Sequence, residues 1–340
     1  MKPRENIRRI LRHENPERLG WDFIDPRYQD ILHVDAIRHV PPADPALCQW
    51  GQHAELARIS GFRGETRYDA YGNIYGRFEG KTKGECVHGV LEAGWEGLDA
   101  FSLPEIDLAH AERVKAMGLA GSDKYVLASL PAVFSVLRDV RKMDNALMDT
   151  LLEPEAVSAL MEMIIAQGRQ AVSICAECGI SGVIIYDDWG TQNGPFISPD
   201  SFRQLFAPAY QAIAQAAHER DLDMILHSCG LVLPLVDDMI AAGIDAFQFD
   251  QPELSGSKLW AERYGKVIAL YSPVDIQKVM PTGDRAYIEQ TALEMAEAFK
   301  ACGGSLIAKD YGGLSSLADI NVEPEWAQWA TDVIVANSWL

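Results

Sequence analysis

Two side chains that commonly bind metals stand two positions apart, at His227 and Cys229. They lie at the end of the apolar run 224–227, which has the composition of a buried strand. Alternate residues of a strand point to the same side, so the imidazole and the thiol would face one point. Both groups are common zinc ligands. A hydrogen-bonded histidine beside a core cysteine is the alternative, and a zinc site would need a third ligand from elsewhere in the chain.

Two adjacent carboxylates, Asp187 and Asp188, follow the apolar run 182–186 and lie between Tyr186 and Trp189. Successive strand residues point in opposite directions, so we expect only one of the two to enter a pocket. That carboxylate could be a metal ligand, a general base or a partner that orients His227. A carboxylate that caps the following loop is the alternative for either residue.

Polar and aromatic residues also follow the later apolar runs. Asp275 and Gln277 come after Tyr271, and Asp275 is either a helix N-cap or a pocket residue, with the N-cap favoured. Asp310 and Tyr311 precede a pair of glycines, which indicates either a mobile loop over the site or a long turn.

The remaining cysteine pattern does not indicate a redox site. Cys175 and Cys178 form a CxxC in the last turn of a predicted helix, on its apolar stripe, whereas a redox CxxC normally begins a helix. We interpret both thiols, and Cys302 near another helix end, as packing residues.

The elements that would position these side chains alternate regularly. Apolar strand-like runs, most of them followed by a helical pattern, occupy residues 125–130, 182–186, 224–227, 245–249, 267–271 and 305–308. Repeated strand–helix units form parallel sheets with helices outside, and a chain of 340 residues favours closure into a (β/α)8 TIM barrel over an open sheet. Chemistry would then lie at the C-terminal ends of the strands.

The N-terminal third departs from this alternation. We predict a helix at 5–11, a first strand at 18–23, an irregular segment at 26–52 over one mouth, and a hairpin. The hairpin would pair 68–77 with 85–94 through a turn at 80–84. The sequence thus predicts one barrel domain over 1–340, with the helix and hairpin added within about residues 1–120.

The overall charge limits the partners. A formal net charge of -19 argues against nucleic acid and anionic membranes, which require clustered Lys and Arg. No apolar run reaches the ~18 residues of a membrane span, and residues 1–15 are charged, without a signal-peptide core. Six cysteines spread through the chain do not indicate a disulfide framework. We therefore expect a cytoplasmic protein.

The order of these motifs resembles the uroporphyrinogen decarboxylase superfamily over essentially the whole chain. The matching segments are 5–12, 186–190, 198–202, Pro208, Tyr210, 227–230, 275–277, 303–304 and Pro324. The resemblance implies a (β/α)8 barrel with its pocket at the strand C-termini. True decarboxylases of this superfamily hold porphyrinogen carboxylates with an N-terminal arginine-rich motif. Residues 18–23, RLGWDF, lack that motif.

The other branch comprises corrinoid-linked methyltransferases, which include methylcobamide:coenzyme M methyltransferases and O-demethylase methyltransferases. The resemblance to them implies zinc held by His227 and Cys229. The coenzyme M enzymes take a further cysteine from a late loop, which here reads AKDYGG and has none. Asp310 is the closest candidate for the third ligand. A carboxylate there would make zinc a stronger Lewis acid and would favour an oxygen leaving group.

The sequence therefore predicts a zinc-dependent methyltransferase of the O-demethylase type, acting between a small methylated substrate and a corrinoid protein, with a methoxylated aromatic as the first expected substrate. Asp188 would orient the substrate or supply a proton, and Asp187 and Tyr186 are the other expected catalytic residues. The residues expected to contact the substrate are Trp189, Tyr271, Tyr311, Asp275, Gln277 and Asp22. A metal-free decarboxylase or lyase using Asp22 or Asp188, and a non-catalytic small-molecule binder, remain the alternatives.

Overall fold

The computed structural model describes residues 1–42, 44–78 and 84–340. Its strands are β1 (Gly20–Asp22), β2 (Ile31–Val34), β3 (Glu65–Tyr68), β4 (Ile74–Arg77), β5 (Glu85–His88), β6 (Tyr125–Ser129), β7 (Gly182–Tyr186), β8 (Asp223–His227), β9 (Ala246–Gln248), β10 (Ala269–Ser272) and β11 (Leu306–Lys309).

The helices follow most of the barrel strands. They are α1 (Pro3–Leu11), α2 (Ala54–Ser60), α3 (Leu108–Lys115), α4 (Phe134–Arg141), α5 (Met143–Leu152), α6 (Pro154–Glu177), α7 (Pro199–Leu205), α8 (Ala207–His218), α9 (Val236–Ala241), α10 (Ser257–Tyr264), α11 (Arg285–Ala301), α12 (Leu314–Asp319) and α13 (Pro324–Ala336). Among these described helices, none has the length and hydropathy that a membrane crossing requires.

Eight strands form one parallel sheet in the order β1-β11-β10-β9-β8-β7-β6-β2, and the sheet curves into a nearly closed barrel. The fold is thus the predicted (β/α)8 barrel. Parallel pairing makes Tyr186, His227, Gln248 and Tyr271 successive register partners across β7 to β10. These four residues therefore form one layer near the C-terminal ends of their strands.

Helix α1 closes the opposite, N-terminal end of the barrel. Its Ile7 and Ile10 are buried against the apolar barrel interior, which includes Ile184, Ile225 and Ile307. The close approach of α1 to β1 requires a glycine at the start of that strand, because a Cβ on Gly20 would lie 2.6 Å from Ile7 Cδ1. With this end plugged, the C-terminal mouth is the end that can receive a ligand.

The two strands at the ends of the sheet order, β1 and β2, are joined through Asp30. Its backbone N–H donates to the carbonyl of Trp21 at 2.7 Å, and its side chain accepts a hydrogen bond from the Trp21 N–H at 2.9 Å. The same carboxylate makes two hydrogen bonds of 2.8 Å with the Arg18 guanidinium, which lies over the Trp21 ring. Both charged side chains are buried, so the pair fixes the entry of the chain into the barrel.

Two predictions for the N-terminal third were wrong. The segment 26–52 was predicted to be irregular, yet Ile31–Val34 is a barrel strand, short and with Leu32 and His33 exposed, so it gives no apolar run. The stretch 68–77 is not one strand, because Asp69 accepts the backbone N–H groups of Tyr71 and Asn73 and turns the chain between β3 and β4.

Strands β3, β4 and β5 form a separate antiparallel sheet, so the predicted hairpin is its β4–β5 part. Most of the predicted turn at 80–84 lies outside the described residues.

The buried ion pair between Arg18 and Asp30 gives a stability prediction. Asp30→Ala leaves a buried guanidinium without its partner, and we expect the free energy of unfolding to fall by about 3–5 kcal/mol in chemical denaturation. The matched control is Arg9→Ala, which removes an exposed i,i+4 pair with Glu5 and should cost at most about 0.5 kcal/mol. Equal, small losses in both variants would contradict this role of Asp30.

Candidate metal centre

Three potential metal ligands converge at the C-terminal ends of β7 and β8. Asp188 follows β7, His227 ends β8 and Cys229 lies in the turn after it. One ligand atom from each of the three lies within 4.8 Å of the other two. His227 Nε2 is 3.5 Å from Cys229 Sγ and 3.3 Å from Asp188 Oδ1. We refer to Asp188, His227 and Cys229 as the ligand cluster.

The other ring nitrogen of His227 contacts Gln248. His227 Nδ1 makes a short hydrogen bond with Gln248 Oε1, and Gln248 Nε2 donates to Asp250 Oδ1 at 2.7 Å. The carboxylate accepts only, so it directs the amide NH2 of Gln248 toward itself and the carbonyl oxygen toward the imidazole. Nδ1 must then carry the proton, which leaves the lone pair of Nε2 facing the cluster. This is the tautomer that a metal-binding histidine needs.

The electrostatics of the cluster also fit a cation. Burial raises the pKa of Asp188, but in the metal-free cluster the hydrogen bond and charge of a protonated His227, together with the N–H of Cys229, lower it to about 2. A metal ion would take the place of that proton on Nε2. Burial, followed by the charge of Asp188, raises the pKa of the Cys229 thiol far above its usual range. A divalent cation between them would reverse that effect by stabilising the thiolate.

One nitrogen, one sulfur and one oxygen ligand form a donor set that zinc accepts. Three protein ligands with a fourth position free are typical of catalytic zinc sites, whereas structural sites use four. The turn after Cys229 is fixed by Gly230, which has φ 81° and passes so close to Gly190 that a Cβ would lie 2.2 Å from its carbonyl oxygen. The residues of the cluster therefore fit a zinc ion.

The neighbouring carboxylate, Asp187, points away from the cluster. It is buried and accepts the backbone N–H groups of Val133, Phe134 and Ser135 at the start of α4, at 2.7–3.1 Å. It also accepts the Tyr210 hydroxyl at 2.7 Å. The structure thus differs from the predicted catalytic role of Asp187, because all its contacts serve to hold the helix on the barrel.

Trp189 does not line the pocket either. Its indole is fully buried, stacks on Phe134 with ring centroids 4.3 Å apart, and donates to the Tyr210 hydroxyl at 2.8 Å. The predicted substrate contact is therefore replaced by core packing beneath the site.

Asp310 is not part of the ligand cluster, contrary to the prediction of a third metal ligand. Its Oδ2 accepts the backbone N–H of Ile24 at 2.8 Å, and burial raises its pKa to about 6. The carboxylate in the cluster is Asp188 instead. The reason is topological: Asp188 follows the strand next to β8, whereas Asp310 follows β11, three strands away in the sheet order.

A cavity of about 420 Å³ opens at the barrel mouth beside the cluster. The described side chains and glycines that line it are Asp22, Phe23, Ile24, Gln29, His33, Tyr186, Gln248, Tyr271, Lys309, Asp310, Gly312 and Gly313. We call this cavity the mouth pocket. Gln248 belongs to both the pocket and the hydrogen-bond chain of His227, so the pocket adjoins the cluster.

Three of the predicted substrate residues line the mouth pocket. Tyr186 is 45% exposed and its ring lies 5.1 Å from that of His227. Asp22 accepts a short hydrogen bond from the Tyr271 hydroxyl and lies 2.8 Å from His33 Nε2. The pocket thus has tyrosine walls and one carboxylate held by two neighbours.

The other predicted substrate residues have different positions. Burial, and then the charges of Asp250 and Cys229, raise the pKa of Tyr311, so its hydroxyl is within electrostatic reach of the cluster. Asp275 is buried and accepts the backbone N–H groups of Gln277 and Lys278, at 2.8 and 2.6 Å. It caps a turn, and not the helix that the sequence predicted to begin there. Gln277 is exposed and does not line the mouth pocket.

Sequence reasoning missed Gln248 and Lys309 at this site. Each ends a short barrel strand whose other residues are apolar, and that position is the available signal for both. Asp250, two residues past Gln248, lies at the centre of their contacts, since it accepts from Gln248 and lies 3.3 Å from Lys309 Nζ.

The opposite orientations of Asp187 and Asp188 give a paired prediction. Asp187→Ala leaves buried N–H groups of α4 and the Tyr210 hydroxyl without their hydrogen-bond acceptor. The free energy of unfolding should therefore fall by at least about 2 kcal/mol, while bound zinc is retained. Asp188→Ala should lose zinc and change the stability of the metal-free protein by less than about 1 kcal/mol. Metal analysis and chemical denaturation measure both effects. The reverse pattern would show that the wrong carboxylate has been placed in the cluster.

Comparison with solved structures places the barrel among known folds. A methyltransferase from Methanosarcina mazei is 15% identical, with a TM-score of 0.67, and the alignment covers 99% of this chain and 98% of that one. A D-psicose 3-epimerase with D-tagatose from Clostridium cellulolyticum H10 is 14% identical over 72% of this chain and 86% of its own, with a TM-score of 0.41. The first likeness extends the shared fold to the N-terminal additions.

Sequence comparison identifies the family. No curated protein matches the chain significantly. The family model described as "Uroporphyrinogen decarboxylase (URO-D)" matches residues 118–307, which is more than half of the chain and includes every residue of the ligand cluster. By this match the protein belongs to the uroporphyrinogen decarboxylase (URO-D) family.

Proposed function

We propose that the protein is a cytoplasmic, zinc-dependent methyltransferase that moves a methyl group between a small methylated substrate and the cobalt of a separate corrinoid protein. The main support is the ligand cluster of Asp188, His227 and Cys229 at the open end of a URO-D-family barrel. A zinc ion held by these three ligands would keep one coordination position for the heteroatom that bears the methyl group. The fold likeness to a methyltransferase agrees with this proposal.

Zinc at this position would act as a Lewis acid that stabilises negative charge on the heteroatom as the methyl group departs. In the demethylation direction the bond between the methyl carbon and the oxygen breaks and its electron pair stays on the oxygen. The new bond to the methyl carbon takes its electron pair from the Co(I) of the partner. With zinc bound, Cys229 would supply one thiolate ligand and Asp188 one carboxylate, a set that would favour an oxygen leaving group over a thiolate.

The protein residues around this centre have separate tasks. Gln248 holds His227 in the tautomer that presents Nε2. Asp188 lies within the ligand cluster, so it would serve as a ligand and not as the proton donor. Tyr186 and Tyr271 line a pocket of about 420 Å³, a size suited to a methoxylated aromatic ring.

The corrinoid would come from a partner that covers the mouth. The described residues form the barrel, its helices and the small β3–β5 sheet, and a corrinoid has to approach the methyl group from the open side of the pocket. A partner seated on the strand C-termini would also exclude water from the reacting atoms.

A metal-independent decarboxylase is the second candidate, because Asp22 with Tyr271 and His33 could move a proton without a metal. Among the described residues, however, the pocket has fewer cations than a polycarboxylate requires. Arg18, the arginine in the motif region, is buried in its pair with Asp30, and Lys309 is the single Lys or Arg among the described residues that line the pocket.

The direct test is an assay of methyl transfer from a methoxylated aromatic to cob(I)alamin, or to a corrinoid protein. The change in cobalt absorbance measures the transfer. We expect transfer with the zinc-loaded protein and a loss of about 100-fold or more in Cys229→Ala, since Lewis-acid stabilisation contributes several kcal/mol. Cys302→Ala is the control, because that thiol bonds to Phe299 O near a helix end. Full activity in Cys229→Ala would contradict the proposal, and binding without turnover would favour the non-catalytic alternative.

The hydrogen bond from His227 Nδ1–H to Gln248 Oε1 gives a further prediction. Gln248→Leu should weaken zinc affinity by about 10–100-fold, the usual effect of losing a partner that orients a ligand. Competition with a chromophoric chelator measures the affinity. Gln167→Leu is the matched control, because Gln167 is also buried but donates to Pro104 O away from the site. An unchanged affinity in Gln248→Leu would contradict the assigned tautomer.

A further inference from the structure

Lys309 is a charged residue of the mouth pocket to which the proposed chemistry gives no task. It ends β11, and its side chain is 13% exposed, in the pocket wall with Tyr271 and Asp310. A lysine held this deep in a barrel mouth loses much of its hydration, so it requires compensating acceptors.

The protein supplies only part of that compensation. Among the described residues, the one hydrogen-bond acceptor of Lys309 Nζ is Asp250 Oδ1, at a long 3.3 Å, and the same oxygen receives Gln248 Nε2 at 2.7 Å. An ammonium group has three donors. The other two have no hydrogen-bond acceptor among the described residues, and Lys309 lines the pocket.

Two tyrosine rings flank the ammonium. Nζ lies 5.6 Å from the ring centroid of Tyr271 and 6.0 Å from that of Tyr311. Such contacts hold the cation in place but leave its N–H donors free for an oxygen ligand. An aromatic substrate that packs on these walls would bring a ring substituent toward Nζ.

The carboxylates that line the pocket already have donors. Asp22 interacts with Tyr271 and His33, and Asp310 accepts from the Ile24 N–H. Both carboxylates thus already accept hydrogen bonds, whereas Lys309 still has hydrogen-bond donors without an acceptor in the described part of the chain. The ligand cluster lies beyond Gln248, so a substrate could contact both groups through opposite ends.

We propose that Lys309 binds an anionic oxygen group of the substrate and so selects a methoxylated aromatic monoanion over neutral or cationic analogues. This inference rests on the proposed function, because it takes the pocket to be the site of the methylated substrate. It names a specificity residue and a substrate charge, neither of which the metal chemistry requires.

Calorimetric titration of the zinc-loaded protein with matched ligands tests this, in the absence of any corrinoid so that no methyl is transferred. The ligands are 4-methoxybenzoate, 4-methoxybenzamide and 4-methoxybenzylamine. We expect the benzoate to bind at least about tenfold more tightly than the amide, the value of one charge-assisted hydrogen bond. Lys309→Met should reduce this preference to within about threefold, and Lys309→Arg should keep most of it.

Lys266→Met is the matched control, because Lys266 is exposed just before β10, at the opposite end of the barrel. It should leave the preference unchanged. Retention of the benzoate preference in Lys309→Met would overturn the inference, since the anion would then be held by zinc or elsewhere. Equal binding of the three ligands, or tighter binding of the amine, would also overturn it.

This outcome is separable from that of the proposed function. Methyl transfer without an anion preference would leave the methyltransferase and remove the role of Lys309. If the protein transfers no methyl group but prefers the anion, and Lys309→Met loses that preference, the result would support the role of Lys309 and contradict the methyltransferase proposal.

Discussion

The parallel register of β7 to β10 is the constraint on which the site depends. It aligns Tyr186 with His227, His227 with Gln248, and Gln248 with Tyr271. Each of these residues ends or nearly ends its strand. A single layer therefore holds a pocket wall, the imidazole of the ligand cluster, the amide that orients it and a second wall. A register shift of one residue in β9 would turn Gln248 away from His227, because strand side chains alternate.

The same alternation separates the two adjacent carboxylates after β7. Asp188 enters the ligand cluster, while Asp187 points outward and holds the start of α4 against the barrel. One carboxylate thus belongs to the chemistry and the other to the scaffold that positions it. The buried stack of Trp189 on Phe134 continues that scaffold beneath the site.

The sequence predicted the barrel because six of its eight strands are apolar runs, and it predicted His227 with Cys229 because both ligand types lie at one strand end. It could not reveal β2, since Ile31–Val34 is short and half-exposed. It could not choose between Asp310 and Asp188 as the third ligand either, because that depends on which strands are neighbours in space. Gln248 and Lys309 were missed because their roles arise from contacts with Asp250 that no spacing in the sequence indicates.

The central claim is that one histidine, one cysteine and one carboxylate bind zinc in this barrel. X-ray absorption at the zinc edge, on protein purified without chelator, tests it most directly, together with the zinc stoichiometry. We expect about one zinc per chain, with one zinc–sulfur distance of about 2.3 Å and zinc–nitrogen and zinc–oxygen distances of about 2.0–2.2 Å. Two or more sulfur ligands, or protein that holds no zinc after zinc is added back, would contradict it.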